Sequence, residues 1–271
     1  MKTCKFLFVA ALLVSAELSL HAQPQLVAHR GGRSEADENT LTAFSTALEA
    51  GITGYELDVH ITSDGGFVIM HDNDPARTTG TDGLLERMSL AEVRKLRTLK
   101  GNQVPTLEEV VELFNRHDGL YVEFEMKTNK PDLYTREVLE KYVEGLYAEV
   151  YRAKPSGSTY VFTSFDTRPL LLMRERHPDA EVMYITSGGG LDRILGIAKT
   201  IGTRRFACNR SKITQAEVAA ARKEGFIVSV WPNPKKEDVV FSWMLGADII
   251  CTDMPRDAAA MIRRYDLPIR P

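Results

Sequence analysis

The chain has 271 residues, of which 44% are hydrophobic and 26% charged, proportions that argue against disorder, a collagen-like repeat or a coiled-coil rod. A formal net charge of -3 without basic clustering argues against duplex nucleic acid as a partner. Three cysteines, none in a CxxC pair, supply neither a disulfide scaffold nor a structural zinc site.

Residues 1–22 read as a cleaved secretory signal. Lys2 and Lys5 precede an apolar run over 6–14, and Leu20-His21-Ala22-Gln23 offers a cleavage site after Ala22. The run is shorter than the ~20 apolar residues a membrane span needs, and Glu17 breaks the apolar character just beyond it. Cys4 lies ahead of the run, so it does not mark a lipoprotein cut. The expectation is export to the periplasm or beyond the cell, with no stable membrane span. The mature chain, 23–271, has no linker or low-complexity tract and reads as one domain. Cys208 and Cys251 sit in apolar strand-like runs and are expected as buried free thiols.

Strand patterns fall at 26–30, 54–60, 120–126, 159–165, 181–186, 205–209, 226–231 and 248–252. Helical patterns lie between most of them, at 40–50, 106–116, 132–153, 168–176, 191–201 and 214–224. Eight strands alternating with helices predict an α/β fold of the (β/α)8 TIM-barrel type. An open doubly wound sheet is the alternative, but no GxGxxG follows the first strand. After strand two, Ser63-Asp64-Gly65-Gly66 separates two apolar runs and predicts a β-hairpin that ends in His71-Asp72. An insertion over 73–119, with a short helix near 89–96, precedes the next barrel strand.

Barrel active sites lie at the C-terminal ends of the strands. Strand one ends in His29-Arg30. In strand two Glu56 and Asp58 share a face, ~6.6 Å apart, because side chains alternate along a strand. In strand three Glu123, Glu125 and Lys127 share a face. Inward carboxylates at Glu56, Asp58 and Glu125 form an all-oxygen cluster suited to a hard cation, Ca²⁺ or Mg²⁺. The competing reading is a set of interior salt bridges to Arg30 and Lys127. His29 and His71 each stand at a strand or hairpin end near this cluster, where two histidines can divide acid and base roles. His60, His117 and His177 are expected to be structural.

These motifs resemble the glycerophosphodiester phosphodiesterases, of the barrel superfamily related to phosphatidylinositol phospholipases C. The matching pieces are His29-Arg30-Gly31, Glu38-Asn39-Thr40, Glu56-Leu57-Asp58-Val59, Thr62-Ser63-Asp64-Gly65 with His71-Asp72, and Arg77-Thr78-Thr79. Pro105-Thr106-Leu107-Glu108-Glu109, Glu125-Met126-Lys127, Thr163-Ser164-Phe165 and Thr252-Asp253-Met254-Pro255 come next, in family order. Two departures stand out. Asp37 takes the place of a proline before Glu-Asn-Thr. Trp231-Pro232-Asn233-Pro234 replaces Trp-Thr-x-Asn, so Asn233 fills the asparagine's role only if the loop is shifted.

The resemblance implies that His29 and His71 are the acid/base pair and that Glu56, Asp58 and Glu125 bind one divalent cation. It implies that Arg30 and Lys127 hold the phosphodiester and that Trp231 walls the pocket. The implied reaction is hydrolysis of a small glycerophosphodiester to glycerol 3-phosphate and an alcohol; no protein partner is implied. A lysophospholipase D or phosphoinositide-type phospholipase C on the same barrel is an alternative. An exported glycerophosphodiester-binding protein is the non-enzyme alternative, against which the two histidines speak, since binding alone needs no acid/base pair.

Overall fold

The computed structural model describes residues 23–271. The expected signal segment, 1–22, lies outside the described residues. Among them, nine strands join in one sheet. They are β1 (Gln25–His29), β2 (Gly54–Ile61), β3 (Phe67–Ile69), β4 (Tyr121–Met126), β5 (Thr159–Ser164), β6 (Glu181–Thr186), β7 (Arg205–Asn209), β8 (Ile227–Asn233) and β9 (Ile249–Thr252). All but β3 pair in parallel, and β1 meets both β2 and β9, so eight strands close into a barrel. β3 is the antiparallel arm of the expected hairpin, with Val59 opposite Ile69.

The helices are α1 (Leu41–Glu49), α2 (Ala76–Thr79), α3 (Leu90–Val93), α4 (Leu107–Phe114), α5 (Arg136–Tyr151), α6 (Thr167–Arg176), α7 (Leu191–Ile201), α8 (Gln215–Lys223), α9 (Lys236–Met244) and α10 (Pro255–Tyr265). Their starts are written in the sequence. Thr40, Thr106, Thr135 and Thr214 each cap the next helix, and Thr106 and Thr214 form full capping boxes with Glu109 and Glu217. The sequence patterns named no helix over α9. Its buried residues are Val239 and Ser242, whereas Phe241 and Met244 are exposed, so its apolar residues do not mark its inward face.

Strand parity divides the core in two. Leu57, Val59, Val122, Phe124, Tyr160 and Phe162 face outward and pack with Phe44, Phe114, Tyr142 and Leu146 of the helical layer. Each such buried side chain contributes about 1.5–3 kcal/mol, so this layer is the main source of stability. Cys208 belongs to it. The barrel interior holds a smaller cluster of Val27, Tyr121, Val161, Met183, Ile185, Ala207, Ile249 and Cys251. Both cysteines are buried and free, as expected.

A third core underlies the insertion. Val68 and Met70 of the hairpin pack with Leu85, Val93, Leu96 and Val104. Asp37, the residue in place of proline, ties this insertion to the loop after β1. Its carboxylate accepts from the Thr98 hydroxyl and, at 3.0 Å, from Asn102 Nδ2. The loop itself turns tightly: Arg30 has φ 52° and Gly31 φ 78°. A Cβ on Gly31 would also lie 2.8 Å from that of Ala43, so glycine is required there.

Candidate active site

The acidic cluster stands on two neighbouring strands. Parallel pairing sets Asp58 beside Glu125 and Glu56 beside Glu123. Side chains in register share a face, so all four carboxylates enter the barrel. Glu56, Asp58 and Glu125 are all buried, and each offers an oxygen within 4.8 Å of the others'. Lys127 Nζ lies 2.8 Å from Glu125 Oε1 and 3.4 Å from Asp58 Oδ1. Arg30 Nε lies 3.4 Å from Asp58 Oδ2, and the Arg30 backbone N–H donates to Glu56 Oε2 at 2.9 Å. Asn39 Nδ2 donates to Asp58 Oδ2 at 2.8 Å.

The expected salt bridges therefore exist, yet they do not satisfy the cluster. Three carboxylates face two cations, and Glu56 Oε1 and Asp58 Oδ1 are buried without a hydrogen-bond partner. Buried carboxylate oxygens that lack a hydrogen bond are costly unless a further cation meets them. Burial and the neighbouring Asp58 and Glu125 charges raise the Glu56 carboxyl well above the ordinary range. At Asp58 burial also acts to raise the value, but Lys127, Arg30, His71 and the Asn39 amide together hold it below that range. Residues of this type and spacing fit a hard divalent cation.

Both histidines carry the same device. His29, at the end of β1, sets Nδ1 2.5 Å from Asp253 Oδ1, and its Nε2 is 3.8 Å from Glu56 Oε2. His71, just after β3, sets Nδ1 2.7 Å from Asp72 Oδ1. A carboxylate on Nδ1 accepts the proton there, which leaves Nε2 of the neutral ring as the working atom. Their side chains are 20% and 30% exposed, open to a ligand at the barrel mouth. Burial, with Lys127 and Arg30 nearby, lowers His71 below the ordinary histidine value despite the opposing Asp58. Asp253 was not predicted as His29's partner; its only sequence signal was the closing Thr252-Asp253-Met254-Pro255 match.

Trp231 lies at the mouth end of β8, packed on the interior cluster, and meets Phe165 edge to face with centroids 5.6 Å apart. Phe165, absent from the predicted site, is 38% exposed and extends this aromatic wall. Asn233 points elsewhere. Its amide donates to the carbonyls of Val230 and Cys251 and accepts from Ser242 Oγ at 2.6 Å, fully buried in the wall between β8, β9 and α9. A register shift between Val230 and Asn233 brings it there. His60 is fully buried, between Glu86 Oε1 at 2.9 Å and the His71 carbonyl at 3.3 Å. His117 is exposed, and His177 stacks on Tyr147 in the helical layer.

A family model for the glycerophosphoryl diester phosphodiesterase family matches residues 29–257. The chain belongs to that family. A glycerophosphodiester phosphodiesterase from Caldanaerobacter subterraneus subsp. tengcongensis is 28% identical over 248 residues, covering 88% of this chain and 98% of the relative. One from Bacillus subtilis is 30% identical over 255 residues, covering 84% and 83%. Among solved structures, an Oleispira antarctica phosphodiesterase in complex with its product sn-glycerol-3-phosphate superposes with a TM-score of 0.79. It is 24% identical and covers 89% of this chain and 97% of its own. A glycerophosphodiester phosphodiesterase from Parabacteroides distasonis gives 0.75 at 22% identity, covering 90% and 99%. The family's barrel and this chain's barrel are one fold.

Proposed function

We propose that this glycerophosphodiester phosphodiesterase hydrolyses small glycerophosphodiesters to glycerol 3-phosphate and an alcohol, with His29 and His71 as its acid/base pair. One observation carries the reading: two histidines, each held at Nδ1 by an aspartate, flank buried carboxylates with orphaned oxygens. A binding protein has no use for that pair.

Glu56, Asp58 and Glu125 would hold one divalent cation, Ca²⁺ or Mg²⁺, which when bound supplies positive charge to the phosphodiester. Arg30 and Lys127 add fixed positive charge beside it and favour the more anionic transition state. One histidine takes the proton of the attacking glycerol 2-hydroxyl at Nε2 as the oxygen bonds to phosphorus. The other gives a proton to the departing alcohol oxygen as its bond to phosphorus breaks. Water then opens the cyclic phosphate with the two histidines exchanging roles. The depressed His71 is neutral at neutral pH and is suited to accept the first proton. Trp231 and Phe165 would wall the glycerol side of the pocket.

A lysophospholipase D or phospholipase C needs a continuous apolar rim. The exposed apolar side chains Leu99 and Phe165 stand on separate loops, and no described helix is long and apolar enough to cross a membrane. Export, from the signal pattern in residues 1–22, would put the enzyme where diesters from lipid breakdown arrive. Hydrolysis of glycerophosphocholine with and without chelator tests the reading. Release of choline and glycerol 3-phosphate that stops in chelator supports it; no release with saturating Ca²⁺ or Mg²⁺ sinks it.

A further inference from the structure

Arg77 lies in α2, the first turn of the insertion, and its guanidinium grips two carboxylates at once. Nε meets Asp72 Oδ2 at 2.5 Å, while Nη2 and Nη1 meet Glu38 Oε1 and Oε2 at 2.6 and 3.1 Å. Each of those carboxylates has a second engagement inside the site. Asp72 holds the His71 imidazole through its other oxygen, and Glu38 Oε1 accepts from Arg30 Nη1 at 3.0 Å. An unbroken polar chain therefore runs His71, Asp72, Arg77, Glu38, Arg30, Asp58.

The frame around this chain is fixed on both sides. Asp37, next to Glu38, is clasped by Thr98 and Asn102 of the insertion. On the other flank Glu86, in the 3-10 turn Leu85–Arg87, accepts from Asn73 and Tyr134 and meets His60, whose far nitrogen reaches the His71 carbonyl. The insertion thus supports His71 at its backbone through Glu86 and at its side chain through Arg77. His71 follows a hairpin and not a barrel strand: from the barrel, His60 of β2 reaches only its carbonyl, while its ring is held at Nδ1 by Asp72.

We propose that Arg77 is a positioning residue of the reaction: it orients His71 through Asp72 and locks that orientation to Arg30 through Glu38. This rests on the reading of His71 as an acid/base residue. The fork is essential to the role, because a planar guanidinium spans two carboxylates in fixed geometry and an ammonium does not. At 50% exposure Arg77 itself buries little surface, and the melting temperature of the variant reads any cost of the carboxylates it leaves unpaired.

Steady-state hydrolysis of glycerophosphocholine, with full-length protein and saturating Ca²⁺, provides the test, alongside thermal melting of each variant. Arg77→Gln is expected to lower kcat about 10–100-fold, the usual effect of removing a group that orients a reacting side chain, with KM within a few-fold of wild type. Arg77→Lys should recover little of it. In a His71→Ala background Arg77→Gln should cost nothing further, because the ring it orients is gone. Asp72→Asn should likewise be insensitive to it. An equal loss in both backgrounds overturns the proposal in favour of a general structural role. A raised KM with unchanged kcat overturns it in favour of direct phosphate binding. If His71→Ala alone turns over at the wild-type rate, the reading of His71 fails first, and this inference falls with it.

Discussion

His29 and Asp253 face each other at 2.5 Å although 224 residues separate them in the chain. Ring closure brings them together: β1 pairs with β9, Ala28 beside Thr252, so the residues just past each pair leave the barrel side by side. Burial acts to raise the Asp253 carboxyl, but the bond from His29, with Arg33 and Arg30 nearby, holds it below the ordinary range. A partner held toward its ionised form keeps the Nδ1 proton in place and leaves Nε2 facing the carboxylate cluster, 3.8 Å from Glu56 Oε2.

Loss of either histidine should therefore slow turnover and leave binding almost intact. His29→Ala and His71→Ala are each expected to lower kcat by ~10²–10⁴, the usual worth of one positioned acid or base. The double variant should fall well short of the product of the two losses, since both act in one transfer. Asp253→Asn should lower kcat by up to about 10⁴-fold, the effect of losing the carboxylate that fixes a catalytic histidine's tautomer. Unchanged kcat in His29→Ala would exclude the proton-transfer role.

The cation site has a readout that needs no substrate. A ligand that binds only the folded protein at a hundredfold excess over its Kd adds about 2.7 kcal/mol. Ca²⁺ or Mg²⁺ should raise the melting temperature, and chelator should reverse the rise and abolish turnover. Glu125→Ala should weaken the cation in calorimetric titration by roughly tenfold or more, about 1.4 kcal/mol. A melting temperature indifferent to both cations and to chelator would disprove the site.

The carboxylate cluster was legible because it obeys one rule. Glu56, Asp58 and Glu125 are each turned inward by strand period, which is written locally; the parallel register that sets Asp58 beside Glu125 joins strands on either side of the insertion. Asp72 is His71's neighbour in the chain, but the rest of the network around the histidines was not legible in that way. Asp253 depends on closure of the whole ring, and Arg77 and Glu38 on the path of an insertion with little regular structure. Asn233 was tied to a shifted loop; a register shift does follow Val230, but it turns the Asn233 amide into the wall between β8 and β9 and away from the mouth. Phe165 carried only its place in the Thr163-Ser164-Phe165 match, since an aromatic residue past a strand end is as often core as rim.

His60 was expected to be structural, one pleat beyond Asp58, and it is fully buried. Its contacts make it less innocuous than that implies. His60→Ala would strip Glu86 of one partner and free the His71 carbonyl. The expected cost is about 1–3 kcal/mol of stability, the penalty for an orphaned buried group. Turnover should fall less than in His71→Ala, because the backbone loses support while the imidazole keeps Asp72. A melting temperature equal to wild type would show that the Glu86 network contributes nothing.

Glu123 gives the stability a pH dependence of its own. It lies inside the barrel one step below Glu125, accepts from the Tyr121 hydroxyl at 2.9 Å, and is pushed up by burial from 4.5 to about 7. The folded state therefore holds this proton more tightly than the unfolded chain does. Its contribution is fully present below the ordinary value near 4.5 and is lost as pH rises through about 7. The loss on the alkaline side amounts to roughly 3 kcal/mol, from about 1.36 kcal/mol per unit. Glu123→Gln cannot ionise, and its carbonyl still accepts from Tyr121. With cation held saturating, the variant should gain on wild type steadily from pH 5 to pH 8 in thermal or denaturant melts. A difference that stays constant across that range would mean that Glu123 remains ionised in the folded barrel, with Arg205, which acts on it electrostatically, as its counter-charge.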